Sequence, residues 1–75
     1  ELSPLEYRIL QYFIMNKKHI LKRDQLLEHL WDFSENFVGD TSLNTAISRL
    51  RKKIEANGHR YIKTIYGTGY MWIGD

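Results

Sequence analysis

The chain has 75 residues, 43% hydrophobic and 13% aromatic, which sets one small ordered domain and argues against a disordered chain. It has no cysteine, which excludes disulfides and thiolate metal sites, and no apolar run near the ~20 residues a membrane span needs. The net charge is only +2 but is unevenly spread. Residues 49–63 carry six bases against Glu55, whereas residues 23–40 carry Asp24, Glu28, Asp32, Glu35 and Asp40 against Arg23. A folded domain with a positive side, the electrostatic footprint of a phosphate-binding surface, is the expectation.

In chain order, Ser3-Pro4-Leu5-Glu6 predicts a helix start. Ser3 can cap the free amides, Pro4 suits the first helical position, and Glu6 completes a capping box. Leu5, Ile9, Tyr12 and Phe13 then recur at helical spacing, giving a helix over about 4–15. His19-Ile20-Leu21 reads as a short, isolated extended piece. A second helix is predicted over 23–31, with Asp24 in the first turn and Leu26, Leu27, Leu30 and Trp31 on its buried face. Residues 32–40 read as a loop pinned by Phe33, Phe37 and Val38. The third helix is predicted over 41–56, capped by Asp40, Thr41 or Ser42 and closed at Asn57-Gly58. Its buried stripe is Leu43, Ile47, Leu50 and Ile54. Residues 61–73, rich in Tyr, Ile and Thr and interrupted by Gly67-Thr68-Gly69, predict a β-hairpin. Leu5, Ile9, Phe13, Leu26, Leu30, Leu43, Ile47, Leu50, Ile65 and Trp72 are the expected core of this α+β domain.

On a wheel of about 100° per residue, the face of the third helix opposite its apolar stripe carries Thr41, Thr45, Ser48, Arg49 and Lys52, with Ser42 on one shoulder and Arg51 and Lys53 on the flanks. Small polar side chains followed by bases let a helix sink into a major groove about 12 Å wide. Arginine can then read guanine with two hydrogen bonds, while neighbouring bases grip phosphates. In the hairpin, Lys63, Tyr66 and Thr68 lie near the tip. Enzymatic chemistry has little support. His19, His29 and His59 lie on separate elements without metal-ligand spacing, and Gly67-Thr68-Gly69 opens no helix that could hold an anion. No partner histidine is placed beside Ser42 or Ser48. No catalytic residue, metal or cofactor is expected.

The run Ile47-Ser48-Arg49-Leu50-Arg51-Lys52-Lys53-Ile54, followed by Ile62-Lys63-Thr64-Ile65-Tyr66-Gly67-Thr68-Gly69-Tyr70, resembles the signature of the OmpR/PhoB winged-helix family, roughly I-x-R-L-R-K-K-L and I-x-T-V-R-G-x-G-Y. Leu2-Ser3-Pro4-Leu5-Glu6-Tyr7 resembles the family's start, and residues 24–31 resemble its second helix. The resemblance implies a winged helix-turn-helix: three helices, a short strand after the first, and the hairpin as wing. The family's small N-terminal sheet is missing, with Glu1-Leu2 as its last remnant. It implies sequence-specific binding of double-stranded DNA, with the third helix in the major groove and the wing on the adjacent backbone or minor groove. Thr41, Ser42, Asn44, Thr45, Ser48, Arg49, Arg51, Lys52, Lys53, Lys63, Tyr66 and Thr68 are the implied contacts. Arg49, Arg51 and Lys52 match the family pattern directly, whereas Thr41, Ala46 and Tyr66 depart from it, many members having arginine at the Tyr66 position.

The resemblance also implies a two-component response regulator in the bacterial cytoplasm. An upstream receiver domain would be phosphorylated by a sensor kinase, homodimers would form on tandem half-sites, and a loop including Asp32, Ser34, Glu35 and Asn36 would face RNA polymerase. No signal peptide is visible, no membrane contact is expected, and the abrupt start reads as a piece of a longer protein. Two other readings remain open: a winged helix used for protein contacts, and the DNA-binding part of a one-component, membrane-linked regulator.

Overall fold

The computed structural model describes residues 1–33 and 39–74, with the side chains of residues 31–33 and 39–42 outside that description. The elements are α1 (Pro4–Met15), β1 (Ile20–Lys22), α2 (Arg23–Phe33), α3 (Gly39–Ile54), β2 (Ile62–Ile65) and β3 (Gly69–Trp72). Three helices therefore pack with one antiparallel sheet of order β1-β3-β2.

The start of α1 is held by a reciprocal cap. The Glu6 amide donates to Ser3 Oγ at 3.2 Å, and the Ser3 amide donates to Glu6 Oε1 at 2.9 Å. The same carboxylate, only 4% exposed, accepts from Lys53 Nζ at 2.6 Å. Lys53 also donates to the Glu1 carbonyl at 2.9 Å, so this pair fastens the chain start to α3. The Lys53 hydrogen bond, then that of the Ser3 backbone, hold the Glu6 carboxyl below its ordinary value of 4.5 despite the opposing cost of burial. A depressed carboxyl binds fewer protons folded than unfolded. Its stabilisation is therefore present above the ordinary carboxylate range and is lost as the pH falls through the lowered value. Glu6→Gln should remove that part of the acid sensitivity. In unfolding midpoints followed from neutral to acid pH, wild type should fall more steeply than the variant. Parallel curves would exclude Glu6 as the titrating group.

Asn16 closes α1, its amide donating to the Phe13 carbonyl at 3.0 Å and its side chain to the Tyr12 carbonyl at 2.8 Å. The short strand that follows is not isolated, as its local sequence suggests. It is an edge strand, with Ile20, Leu21 and Lys22 opposite Met71, Tyr70 and Gly69. Its partner arrives from almost fifty residues downstream, a pairing that no local pattern announces. In α2, Leu26 and Leu30 are fully buried, and the helix runs to Phe33 where the sequence pattern suggests Trp31. Helix α3 begins at Gly39, before the expected caps, whose side chains lie outside the described residues. It ends at Ile54; Gly58, at φ +90°, then takes the left-handed turn expected of it.

Eight of the ten expected core residues are buried. Leu5 and Ile65 are the exceptions, both half-buried. On β2 the alternation runs the other way from that choice. Ile62 pairs with Trp72 and faces inward at 2% exposure, which turns Lys63 outward and leaves Ile65 opposite Gly69. Leu21, Ala46, Ile62 and Tyr70 complete the core. Trp72 lies between the Phe13 and Tyr61 rings, at centroid distances of 6.4 and 5.4 Å, and so joins α1 to the sheet.

Candidate nucleic-acid interface

Helix α3 divides by its packing. Leu43, Ala46, Ile47 and Leu50 are buried against the other helices and the sheet. Asn44, Thr45, Ser48, Arg49 and Lys52 are exposed and form a continuous surface of small polar groups and bases. Glu55 is the one acid at the end of α3, and its charge is turned away from that surface. Its carboxylate accepts from the Tyr61 and Ile62 amides at 2.8 and 3.0 Å, steering the chain into β2.

The two flanks behave differently from the exposed face. On one, Lys53 is tied to Glu6. On the other, Arg51 reaches the hairpin. Its Nη2 donates to the Ile62 carbonyl at 2.9 Å and to Thr64 Oγ1 at 2.7 Å, and its guanidinium lies 5.7 Å from the Tyr70 ring centroid. Both bases were candidate DNA contacts by sequence, and both are engaged within the domain. Ala46 is buried at 6% exposure, so it offers no side chain to a groove.

The hairpin turns at Tyr66-Gly67-Thr68. Gly67 is at φ +80°, and the Thr68 amide donates to the Ile65 carbonyl at 2.9 Å. Lys63, Tyr66 and Thr68 are all exposed, Tyr66 at 91%. The Arg23 amide donates to the Thr68 carbonyl at 3.2 Å, which seats the wing turn on the start of α2.

The side chains of Thr41 and Ser42 lie outside the described residues, as do those of Asp32, Ser34, Glu35 and Asn36. Sequence inspection misses Arg23 and Tyr70. Tyr70 is 7% exposed; its hydroxyl accepts from Arg23 Nη1 at 3.3 Å and donates to Asn44 Oδ1 at 3.2 Å. The alternation of the hairpin points to an inward Tyr70, but its polar partners come from two other elements. The histidines remain apart from this surface: His29 stacks on Tyr12 with centroids 4.0 Å apart, and His59 packs near Tyr61.

A polar, basic helix face beside a seated hairpin is the arrangement the resemblance implies. The family described as "Transcriptional regulatory protein, C terminal" matches residues 1–72. The chain belongs to the OmpR/PhoB family of winged-helix DNA-binding domains. That family is one of transcriptional regulator domains, not of enzymes. Among its relatives, the phosphate regulon transcriptional regulatory protein PhoB of Escherichia coli K12 is 38% identical over 73 residues, 96% of this chain and 31% of PhoB. The chain thus spans about a third of the length of such curated relatives.

Solved structures of regulator domains are similar to this chain. The C-terminal domain of the nisin resistance regulator NsrR superposes with a TM-score of 0.86 at 39% identity, covering 99% of this chain and 75% of that one. The DNA-binding domain of Klebsiella pneumoniae RstA, solved in complex with RstA box, superposes at 0.78 with 32% identity, covering 97% and 73%. No described helix is long and apolar enough to cross a membrane.

Proposed function

We propose that this OmpR/PhoB domain binds double-stranded DNA sequence-specifically, with α3 in the major groove and the β2–β3 wing against the neighbouring backbone or minor groove. The observation that carries the reading is the exposed face of α3. Thr45, Ser48, Arg49 and Lys52 lie open, while Arg51, Lys53 and Glu55 hold the helix in place from its other sides. A helix anchored in this way presents its exposed bases outward. Arg49 is the candidate base reader, since a guanidinium can donate twice to guanine. Lys52 suits a phosphate, as does Lys63 on the hairpin. Tyr66, uncharged where many relatives carry arginine, would give the wing a smaller electrostatic share.

The relatives' greater length supports a wider setting, proposed for the whole protein. There the domain is the output half of a cytoplasmic two-component regulator, following a receiver domain phosphorylated by a sensor kinase. Pairs of domains would occupy tandem half-sites, and the segment containing Asp32, Ser34, Glu35 and Asn36 would meet RNA polymerase.

Selection from random duplex DNA at two salt concentrations tests the DNA reading. Enrichment of a short motif, with log affinity falling by about 0.9 per phosphate contact for each tenfold rise in salt, is the expected result. No retention of the folded domain at low salt would refute it and favour protein contacts through the same face. Arg49→Ala should cost about 1–3 kcal/mol on the selected site and relax its specificity. Lys52→Ala should weaken selected and random DNA alike. Equal losses on both for Arg49→Ala would remove its base-reading role.

A further inference from the structure

We propose that Tyr70 and Arg23 set Asn44 as a donor-only reader on the recognition helix, so that it selects a base edge presenting an acceptor and not the donor–acceptor edge of adenine. The proposal rests on the DNA-binding reading above and specifies one base contact within it.

Asn44 is exposed on the flank of α3 that faces the hairpin. An asparagine amide has an accepting oxygen and a donating nitrogen, and it recognises adenine by using both at once. Here the oxygen is taken. The Tyr70 hydroxyl lies 3.2 Å from Asn44 Oδ1. The direction of that hydrogen bond follows from the next group in the chain. Arg23 Nη1 lies 3.3 Å from the same hydroxyl, and a guanidinium can only donate. The Tyr70 oxygen therefore accepts from Arg23, and its one proton is free to go to Asn44. With the amide turned the other way, the hydroxyl would face two donors and its own proton would have no partner among these groups. The relay runs Arg23 to Tyr70 to Asn44, and each donor reinforces the next.

Tyr70 cannot readily leave this position. It is 7% exposed on the inward face of β3, opposite Leu21 and Thr64, and the Arg51 guanidinium lies over its ring. Asn44 thus presents its amide N–H groups outward. Guanine, whose major-groove edge offers O6 and N7 as acceptors, fits that presentation. Tyr70 and Arg23 are positioning residues here, and Asn44 makes the contact.

Two measurements test this. The first uses the free domain and does not depend on DNA. Tyr70→Phe should shift the Asn44 side-chain amide resonances and speed rotation of that group. Unchanged Asn44 signals in a folded variant would overturn the relay. The second compares selected sites of wild type, Tyr70→Phe and Asn44→Asp. Asn44→Asp can keep one oxygen on Tyr70 and present the other as an acceptor, so one base pair should change preference from guanine towards cytosine by roughly tenfold. Tyr70→Phe frees the amide oxygen and should move the same position towards adenine. An identical base preference in all three proteins would overturn the proposal while leaving DNA binding intact. Failure of wild type to select any sequence would instead refute the DNA-binding reading, and this contact with it. Should Tyr70→Phe fail to fold, Asn44→Asp alone still decides the base preference.

Discussion

Gly69→Ala is expected to destabilise the domain by about 3 kcal/mol or more, a large part of the roughly 4–11 kcal/mol available to a domain of this length. The reason is space. Gly69 lies opposite Lys22 where β3 meets β1, and its φ is not in the left-handed region. A β-carbon there would overlap the Leu21 carbonyl oxygen and lie 2.9 Å from Lys22 Cα and 3.0 Å from Leu21 C. All three are backbone atoms, so no side chain can swing aside. Relief requires β1 to lift from β3, which would expose Leu21, now 4% exposed, and separate the hairpin from α2. Denaturant unfolding measures the effect. The fitting control is Gly58→Ala, where φ is +90° but open space surrounds the site, and the cost should be about 1 kcal/mol. Equal midpoints for the two variants would show that β1 is not held closely to β3.

Arg51→Ala should be the next most damaging change, at roughly 2–3 kcal/mol. It removes donors from the Ile62 carbonyl and Thr64 Oγ1 and takes a cation from the Tyr70 ring. β2 is an edge strand, and Arg51 fastens it to α3. Lysine should rescue little, because an ammonium lacks the planar fork that holds two acceptors and stacks on a ring. Thermal unfolding of Arg51→Ala and Arg51→Lys, paired with the salt dependence of DNA binding, separates the possible roles. Lowered stability in both is the expected outcome. Wild-type stability with a salt slope shallower by about 0.9 would mark Arg51 as a phosphate contact instead.

These two positions show how far a residue pattern reaches. The motif around Arg49 to Ile54 correctly indicates the family, yet identical residue types within it have different uses. Arg49, Lys52 and Lys53 are all exposed, yet Lys53 is also tied to α1, and the half-buried Arg51 clasps the hairpin. A helical wheel places Arg51 and Lys53 on the flanks of α3, but it does not show what stands beside those flanks. Likewise, the Gly-x-Gly of the hairpin reads locally as a turn. That suffices for Gly67, at φ +80°, whereas Gly69 is required by a strand some fifty residues away in sequence.

The sequence by itself determined what depends on neighbours a few residues apart. The Ser3–Glu6 cap, the apolar stripes of the three helices and the hairpin turn arise from helix and strand periodicity and from local backbone hydrogen bonds. Only the tertiary structure decided the rest: the pairing of β1 with β3, the inward choice of Ile62 over Ile65, and the Arg23–Tyr70–Asn44 relay. Each joins segments remote in the chain, and their partners are set by packing the whole core. A one-residue change of register would reverse the faces of β2, and local composition there, with isoleucine at both ends, favours neither face.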